Sequence, residues 1–463
     1  MEVKDLKPAL IWQCFDAITK VPRPSTHEEQ IRKFLLDFAA EHNLEARTDK
    51  VGNVAMSKGA TPGYENAPTV ILQAHMDMVA EKNNDVQHDF LKDPIETYID
   101  GDWVRARGTT LGADNGLGCA AAMAVLLDDS IVHGPIQCLF TVDEEQGLGG
   151  ANGLQPGFVN GDILLNLDSE EHGQLVIGCA GGQVAVAELE YDSEEPTPGY
   201  EYFRVRIERL NGGHSGMEIG LGRANANQQL ARFLWMSAEE FEGIDLAEID
   251  GGGLANAIPR EASAWIGVNA RHAQELVNRA TAFNDTLHAE FALTESPDFL
   301  FSIEKAPKPE KVIAAFQAND LFSAIFATPN GVQSMSAVVE GLIETSCNLA
   351  SIKMKPDNHI EVTVHMRSAV DSRRDEIGNR IKALYQLIGC DVTFGDAYVG
   401  WAPDKDSKVL AVAEQSFKDL FGHEPRVEAL HAGLECGLFL EKMPGLDMIS
   451  FGPTLRDIHS PNE

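Results

Sequence analysis

Histidine and carboxylate residues follow the apolar, strand-like runs of this sequence at four places. In open α/β sheets ligands collect at the carboxyl ends of strands, so we expect these side chains to converge at one sheet edge. The residues are His75 and Asp77 after 70–72, Asp143, Glu144 and Glu145 after 136–142, Asp168 after 163–165, and Asp457 and His459 after 448–451. Imidazole and carboxylate groups suit divalent, zinc-like metals. Together the residues predict a metal centre.

Asp114 lies in a glycine-flanked turn, residues 112–116, just before a helix-like run. Its two oxygens could bridge two ions, and two ions that share a water favour a hydrolase. Asp77, two residues after His75, points to the same side of an extended segment and could orient the imidazole.

Glu144 and Glu145 are adjacent, so they point in opposite directions if the segment is extended. One can bind metal, and the other can take a proton from the bridging water and pass it to the leaving amine. A purely structural metal site needs no spare carboxylate beside a ligand. The alternative of a metal-binding protein without turnover is therefore the weaker one.

The chain has 463 residues, enough for two or three domains, and a formal net charge of −34. That charge disfavours nucleic acid and anionic membranes as partners. Its apolar runs are far shorter than the ~20 residues of a membrane span. The seven cysteines form no CxxC pair, which is typical of a reducing compartment. We expect a cytoplasmic protein.

Strand-like and helix-like segments alternate to about residue 180, and the same character returns from about 399. This alternation predicts an α/β fold with a mostly parallel sheet and flanking helices that carry the metal site. We expect one discontinuous catalytic domain, residues 1–183 and 399–463. Residues 184–398 would form a large inserted α+β domain that serves as a lid or in dimerisation.

Six short segments together resemble the di-zinc metallopeptidase superfamily of carnosinases and aminoacylases. They are 75–79, 109–116, 143–145, 166–169, 212–216 and 458–461. TTLGADNG at 109–116 and HAGLECG at 431–437 are most similar to its aminoacyl-histidine dipeptidases, which cleave Xaa-His peptides. The pattern departs from the family after Glu463, where we expect a further, closing stretch.

The resemblance implies two ions per chain, zinc by preference, with cobalt or manganese able to substitute. One ion would be bound by His75, Asp114 and Asp168, and the other by Asp114, Glu145 and His459. Glu144 would be the general base, and Asp77 would support the catalytic site. The Asp114–Asn115 peptide bond would be cis.

The resemblance also implies substrate contacts. His214, from the inserted domain, would polarise the scissile carbonyl; without the family it would be read equally well as part of a glycine-rich surface turn. Asn256 and Arg367 would hold the substrate carboxylate, although a structural salt bridge is the competing role for Arg367. Glu435 would contact the amino end of the substrate, or else be a buried structural carboxylate. His214 would act within its own chain or in the site of a partner in a homodimer.

The expected function is metal-dependent hydrolysis of short peptides, above all Xaa-His dipeptides such as carnosine. A deacylase or a tripeptidase of the same superfamily is the alternative.

Overall fold

The computed structural model describes residues 2–241 and 243–463, and within them the chain divides into two compact units. Unit 1 comprises the chain up to Cys179, Trp401–Ala429 and Leu434–Glu463. Unit 2 comprises Ala180–Gly400 and Leu430–Gly433.

Unit 1 contains a mixed sheet with helices around it. Its helices are α1 (Ala9–Ile18), α2 (Glu29–Glu41), α3 (Ala113–Leu127), α4 (Gly149–Gly153), α9 (Lys408–Phe421) and α10 (Glu435–Lys442). Its strands are β1 (Glu45–Thr48), β2 (Val54–Lys58), β3 (Val70–His75), β4 (Thr97–Asp100), β5 (Trp103–Ala106), β6 (Ile136–Thr141), β7 (Ile163–Asn166), β8 (Gln174–Cys179), β22 (Arg426–Leu430) and β23 (Asp447–Ser450).

The strand order of the main sheet is β1-β2-β6-β3-β7-β23-β8-β22, and β4 and β5 form a separate hairpin. The four central strands β6, β3, β7 and β23 are parallel to their neighbours in this group. The pairs β1–β2, β2–β6 and β23–β8 are antiparallel. The expectation of an α/β fold with a parallel sheet and flanking helices is confirmed.

The central strands are largely buried, and most of their residues are apolar on both faces of the sheet. In β3 every residue after Val70 is buried, as is expected when helices cover both sides of a parallel sheet. Helix α3 is rich in alanine and glycine, and its small side chains allow close packing against α1 and β3. Because the four central strands are parallel, their carboxyl ends lie at one common edge of the sheet. The last residues of these strands are His75, Thr141, Asn166 and Ser450.

Unit 2 is an α+β unit built on a largely antiparallel sheet of order β16-β11-β15-β13-β19-β20-β9-β21. Its strands are β9 (Gly181–Glu190), β10 (Ser193–Glu194), β11 (Tyr200–Glu208), β12 (Gly213–His214), β13 (Asp245–Gly252), β14 (Ala257–Ile258), β15 (Ala262–Asn269), β16 (Leu300–Ala306), β17 (Val312–Ile313), β18 (Gly331–Met335), β19 (Ile343–Lys355), β20 (His359–Ser368) and β21 (Asp391–Phe394). Its helices are α5 (Ala226–Glu240), α6 (Ala273–Glu290), α7 (Ala315–Ala327) and α8 (Asp371–Gln386).

A small separate sheet in unit 2 pairs β12 with β14, and places His214 opposite Ala257. The core of the unit lies between the large sheet and its helices. Across the described residues of both units, no helix is long and apolar enough to cross a membrane.

Candidate metal centre

His75 ends strand β3, and its imidazole is almost completely buried. Asp77 Oδ1 lies 3.3 Å from its Nδ1, which leaves Nε2 to face Asp114 Oδ1 at 3.0 Å and Asp168 Oδ1 at 3.4 Å. Burial opposes the charged imidazole, but Asp168, Asp114 and Asp77 together raise the pKa of His75 well above its ordinary value. The geometry of Asp77 is that of a carboxylate that orients a metal-binding histidine.

Asp114 lies at the start of α3, where it and Asn115 have non-helical backbone angles. The peptide bond between them is cis, as the resemblance implied. The side chain of Asn115 donates a hydrogen bond to Asp168 Oδ1, so the turn also orients a second carboxylate. Asp114 thus presents Oδ1 toward His75 and Oδ2 toward His459, at 3.0 and 3.2 Å.

The segment after β6 begins with Asp143 in the left-handed backbone region, at a φ of 52°. The backbone N–H of Glu144 then donates to Asp77 Oδ1 at 3.1 Å. Glu145 Oε1 lies 3.0 Å from His459 Nε2. Burial, together with the nearby carboxylates, raises the pKa of Glu144 well above its usual range.

Three overlapping groups of donor atoms could each hold an ion, with all ligand atoms of a group within 4.8 Å of one another. They are His75, Asp114 and Asp168; Asp114, Glu145 and His459; and His75, Glu144 and Glu145. The first two groups share Asp114 and match the sets that the resemblance implied.

The donor set fits two divalent cations. No lysine or arginine among the described residues forms a salt bridge with any of these carboxylates. Instead, His75 pairs with Asp114 and Asp168, and His459 pairs with Asp114 and Glu145. Hydrogen bonds with Asp114 and Glu145 raise the pKa of His459 to about 10, which reflects the strongly negative surroundings. Nitrogen and oxygen ligands at such a site suit zinc or similar metals.

In unit 2, His214 lies on the short strand β12 with its ring nitrogens in distinct roles. Nδ1 accepts hydrogen bonds from the backbone N–H groups of Gly216 and Met217, at 3.2 and 3.0 Å. Burial and the nearby Arg367 lower the pKa of His214. A neutral imidazole that accepts at Nδ1 carries its proton on Nε2, so His214 offers one N–H donor.

Arg367 lies close to His214, since a Cβ placed on Gly216 would be 3.1 Å from His214 Cε1 and 3.3 Å from Arg367 Nε. Its Nη1 donates to the hydroxyl of Tyr398 at 2.9 Å, while its buried Nε has no hydrogen-bond partner within residues 2–241 and 243–463. Among the described residues no carboxylate forms a salt bridge with Arg367.

Asn256 is exposed in the loop before β14, and its carbonyl accepts from the N–H of Ser215 at 2.8 Å. The structure thus gathers His214, Asn256 and Arg367 in unit 2 and the metal-type ligands in unit 1.

Glu435, at the start of α10, is buried in unit 1. Its Oε2 accepts hydrogen bonds from Gln73 Nε2 at 2.6 Å and Thr141 Oγ1 at 2.9 Å. Burial raises its pKa to about 8. In the part of the chain that the structure describes, Oε1 has no hydrogen-bond partner, which leaves one acceptor for a further group.

Several side chains around the centre gave no recognisable signal in the sequence. Glu463 accepts hydrogen bonds from three successive N–H groups, those of residues 111–113, immediately before Asp114. Arg23 and Ser25 contact the segment after β3. The sequence Asp-Asn-Gly at 114–116 did indicate a role for Asn115, because a side-chain amide next to a bridging carboxylate can orient neighbouring ligands.

A family model described as peptidase family M20/M25/M40 matches residues 71–463, which include all five ligand positions proposed from the sequence. The cytosol non-specific dipeptidase of Escherichia coli K12 is 43% identical over 462 residues, covering 100% of this chain and 95% of that protein. The crystal structure of aminoacylhistidine dipeptidase from Vibrio alginolyticus superposes with a TM-score of 0.94 at 42% identity, covering 100% of this chain and 94% of that one.

A tripeptidase from Staphylococcus aureus shares the fold at 16% identity, with a TM-score of 0.57 over 98% of this chain and 92% of that one. The family model matches most of the chain, and the relative from Escherichia coli matches the whole of it. The chain belongs to peptidase family M20/M25/M40.

Proposed function

We propose that the chain is a two-metal dipeptidase that prefers Xaa-His dipeptides such as carnosine. As a member of its family it is a hydrolase that acts on peptide bonds. The observation that carries the proposal is the sharing of Asp114 between two ligand groups, with Glu144, which belongs to neither of these two groups, next to Glu145. The names of the similar proteins from Escherichia coli and Vibrio alginolyticus support dipeptides as substrates.

Two zinc ions are the proposed cofactor, with cobalt or manganese able to substitute. His75, Asp114 and Asp168 would hold one ion, and Asp114, Glu145 and His459 the other. When bound, the ions would supply Lewis-acid polarisation of the scissile carbonyl and would acidify the attacking water.

The side chains would divide the remaining work. Glu144 accepts the proton of the attacking water and passes it to the leaving amine. Asp77 holds the imidazole of His75 and the backbone of Glu144 in place. His214 donates its Nε2–H to the oxygen that becomes negative in the transition state.

The substrate ends would be bound by separate groups. Arg367, whose guanidinium has no carboxylate partner among the described residues, takes the substrate carboxylate together with the exposed Asn256. Glu435 contacts the amino end through Oε1, which accepts no hydrogen bond from the described part of the chain.

A panel of substrates tests this function. The zinc-loaded protein should hydrolyse carnosine and other Xaa-His dipeptides with the highest kcat/KM, and should act poorly on tripeptides and N-acylated amino acids. A higher kcat/KM on tripeptides, or on acylated amino acids, would assign the chain to the tripeptidase or deacylase alternative instead. Amidated dipeptides should lose affinity because Arg367 would have no carboxylate to bind.

We also propose a catalytic domain of residues 1–183 and 399–463, an inserted lid of residues 184–398, a cytoplasmic location and a homodimer. The free, buried state of all seven cysteines supports the location. His214 would serve either its own chain or the partner. Mixing Glu144→Gln with His214→Ala distinguishes the two: activity regained after subunit exchange means service in the partner's site.

A further inference from the structure

Arg23 is buried in unit 1, with only 2% of its surface exposed, and forms no salt bridge with any described carboxylate. Its Nη1 donates to the carbonyls of Met76, at 3.1 Å, and Asp77, at 2.8 Å. Its Nη2 donates to the carbonyl of Gly112. Burying a charged group is costly unless it is well hydrogen-bonded, so a guanidinium in this position needs these three acceptors.

The acceptors belong to two different ligand-bearing segments. Met76 and Asp77 directly follow His75, whereas Gly112 lies two residues before Asp114. The glycines of the second segment make room for the guanidinium: a Cβ on Gly112 or Gly116 would lie 2.5 or 2.6 Å from Arg23 Nη2. Arg23 therefore joins the two segments through one rigid, planar group.

The rest of the break between α1 and α2 contacts the segment after β3 and also a third segment, the one after β6. Ser25 Oγ donates to Asp77 Oδ2 at 2.7 Å, and Ser25 N donates to the carbonyl of Met78 at 3.2 Å. Glu28 Oε1 accepts from the N–H of Asp143 at 3.1 Å, at the start of the segment after β6. Residues 23–28, which we name the ligand brace, thus contact three of the segments that carry the candidate ligands.

We propose that the ligand brace sets the spacing of the metal ligands, with Arg23 as its main positioning residue. The inference rests on the proposed function, in which two ions share Asp114. His75 Nε2 and Asp114 Oδ1 lie 3.0 Å apart, and a shift between their segments would separate ligands that must reach the same ion. A lysine keeps the charge but lacks the planar fork that can hold carbonyls of both segments.

The test measures metal binding to full-length apo protein by calorimetric titration with zinc chloride, alongside kinetics on carnosine. Arg23→Lys should weaken the binding of at least one ion by about 10- to 100-fold, as loss of groups that orient metal ligands does. Excess zinc should then restore kcat with KM unchanged, because the reacting groups are untouched. Arg47→Lys is the matched control, since Arg47 also donates to a carbonyl in unit 1, that of Phe158. The Arg47→Lys protein should bind both ions with wild-type affinity.

Ser25→Ala is the second variant, and it decides the matter if Arg23→Lys does not fold. It removes one donor to Asp77 and should also weaken zinc binding, by several-fold. Wild-type affinity for both ions in every folded variant of the pair would overturn the proposal. The proposed function is tested separately: a wild-type protein that binds two ions but leaves dipeptides intact would refute the function and not the ligand brace.

Discussion

At the scale of single residues, the carboxylate of Asp77 links a predicted ligand to the predicted base. Oδ1 lies 3.3 Å from His75 Nδ1 and accepts the N–H of Glu144 at 3.1 Å, while Oδ2 accepts the hydroxyl of Ser25. Asp77 is completely buried, so water does not compete for these contacts. The positions of imidazole and base are therefore not independent, and a change at either should be judged by metal content as well as by rate.

Glu144→Gln preserves side-chain volume but cannot accept a proton. We expect both ions to remain bound, as elemental analysis would show, and kcat to fall by about 10² or more, the usual scale for removal of a general base. Glu171→Gln is a suitable control because Glu171 forms a salt bridge with Arg456 and is neither a proposed metal ligand nor a proposed catalytic residue. Near-normal turnover of Glu144→Gln would move the base to another residue.

His214→Ala removes the proposed donor to the reacting carbonyl. Because His214 is in unit 2, metal content should be unchanged, while kcat should fall by about 10²- to 10³-fold, as for loss of an oxyanion donor. His359→Ala, which changes an exposed histidine paired with Glu188, is the control and should retain full activity. Unchanged kinetics in His214→Ala would remove it from the mechanism.

At the scale of elements, the small sheet of β12 and β14 carries His214 and the loop with Asn256. Asn348, on β19 and almost completely buried, supports this loop by donating to the carbonyls of Ala255 and Ala257 at 3.1 and 2.8 Å. The side-chain amide of Asn348 therefore helps to position both His214 and Asn256, the two residues of this small sheet and loop that are predicted to contact the substrate.

Asn348→Ala would leave both carbonyls without that donor. The free energy of unfolding should fall by about 1–3 kcal/mol, the usual cost of leaving a buried polar group unsatisfied. Urea denaturation measures this loss, and carnosine kinetics should show a raised KM, since the loop would be less well held. The exposed Asn278, bonded to Gln274 on α6, gives a control variant, Asn278→Ala, in which neither value should change.

Unit 2 also contains a buried histidine that should make stability depend on pH. His431 Nε2 lies 2.6 Å from Ser346 Oγ, and burial, aided by Arg367, lowers the pKa of His431 to about 4. The unfolded chain, with a histidine pKa near the usual ~6.5, binds more protons between these two values. The stabilisation is therefore complete above about pH 6.5 and is lost as the pH falls toward 4.

When the pH falls from 7 to 5, the titration of His431 should lower the free energy of unfolding by roughly 2 kcal/mol. His431→Gln has no titrating group, so urea denaturation at the two pH values should show a correspondingly smaller loss than in the wild type. His365, whose pKa burial lowers to about 3, contributes in the same direction and remains in both proteins. An equal pH dependence in the two proteins would contradict the prediction.

The strands that carry the candidate ligands were predictable because each is a short apolar run followed by ligand-type residues. β3, β6, β7 and β23 lie where the sequence predicted strands, to within three residues at their ends. The contacts of Arg23 were not predictable, because backbone carbonyls as acceptors leave no trace in residue type or spacing. The same is true of Glu463, whose partners are N–H groups that every residue except proline possesses.

At the scale of the whole molecule, activity should depend on metal. Dialysis against a chelator should abolish hydrolysis of carnosine, and zinc, cobalt or manganese should restore it. Elemental analysis at saturation should give two ions per chain, expected to lie roughly 3.5–4 Å apart as in other two-metal sites. One ion per chain at full activity would contradict a shared Asp114.

The sequence predicted the α/β class but not the whole strand order of unit 1. Alternation of strands and helices predicts parallel neighbours, and the four central strands follow this rule. The antiparallel β1, β2 and β8 lie outside it, because their pairing depends on which edges remain free once the central strands have packed.

Strand β23 lies between β7 and β8, although about 280 residues separate it from β7 and about 270 from β8 along the chain. On the ribosome, the first 179 residues would emerge with β7 and β8 lacking the strand that pairs with both. Unpaired strand edges promote aggregation, so this nascent portion would need either protection or delayed folding. Since His459 follows β23, the metal site also cannot be completed before this strand is synthesised. The proposed hydrolysis of dipeptides therefore depends on a strand that is synthesised long after the other central strands of the same sheet.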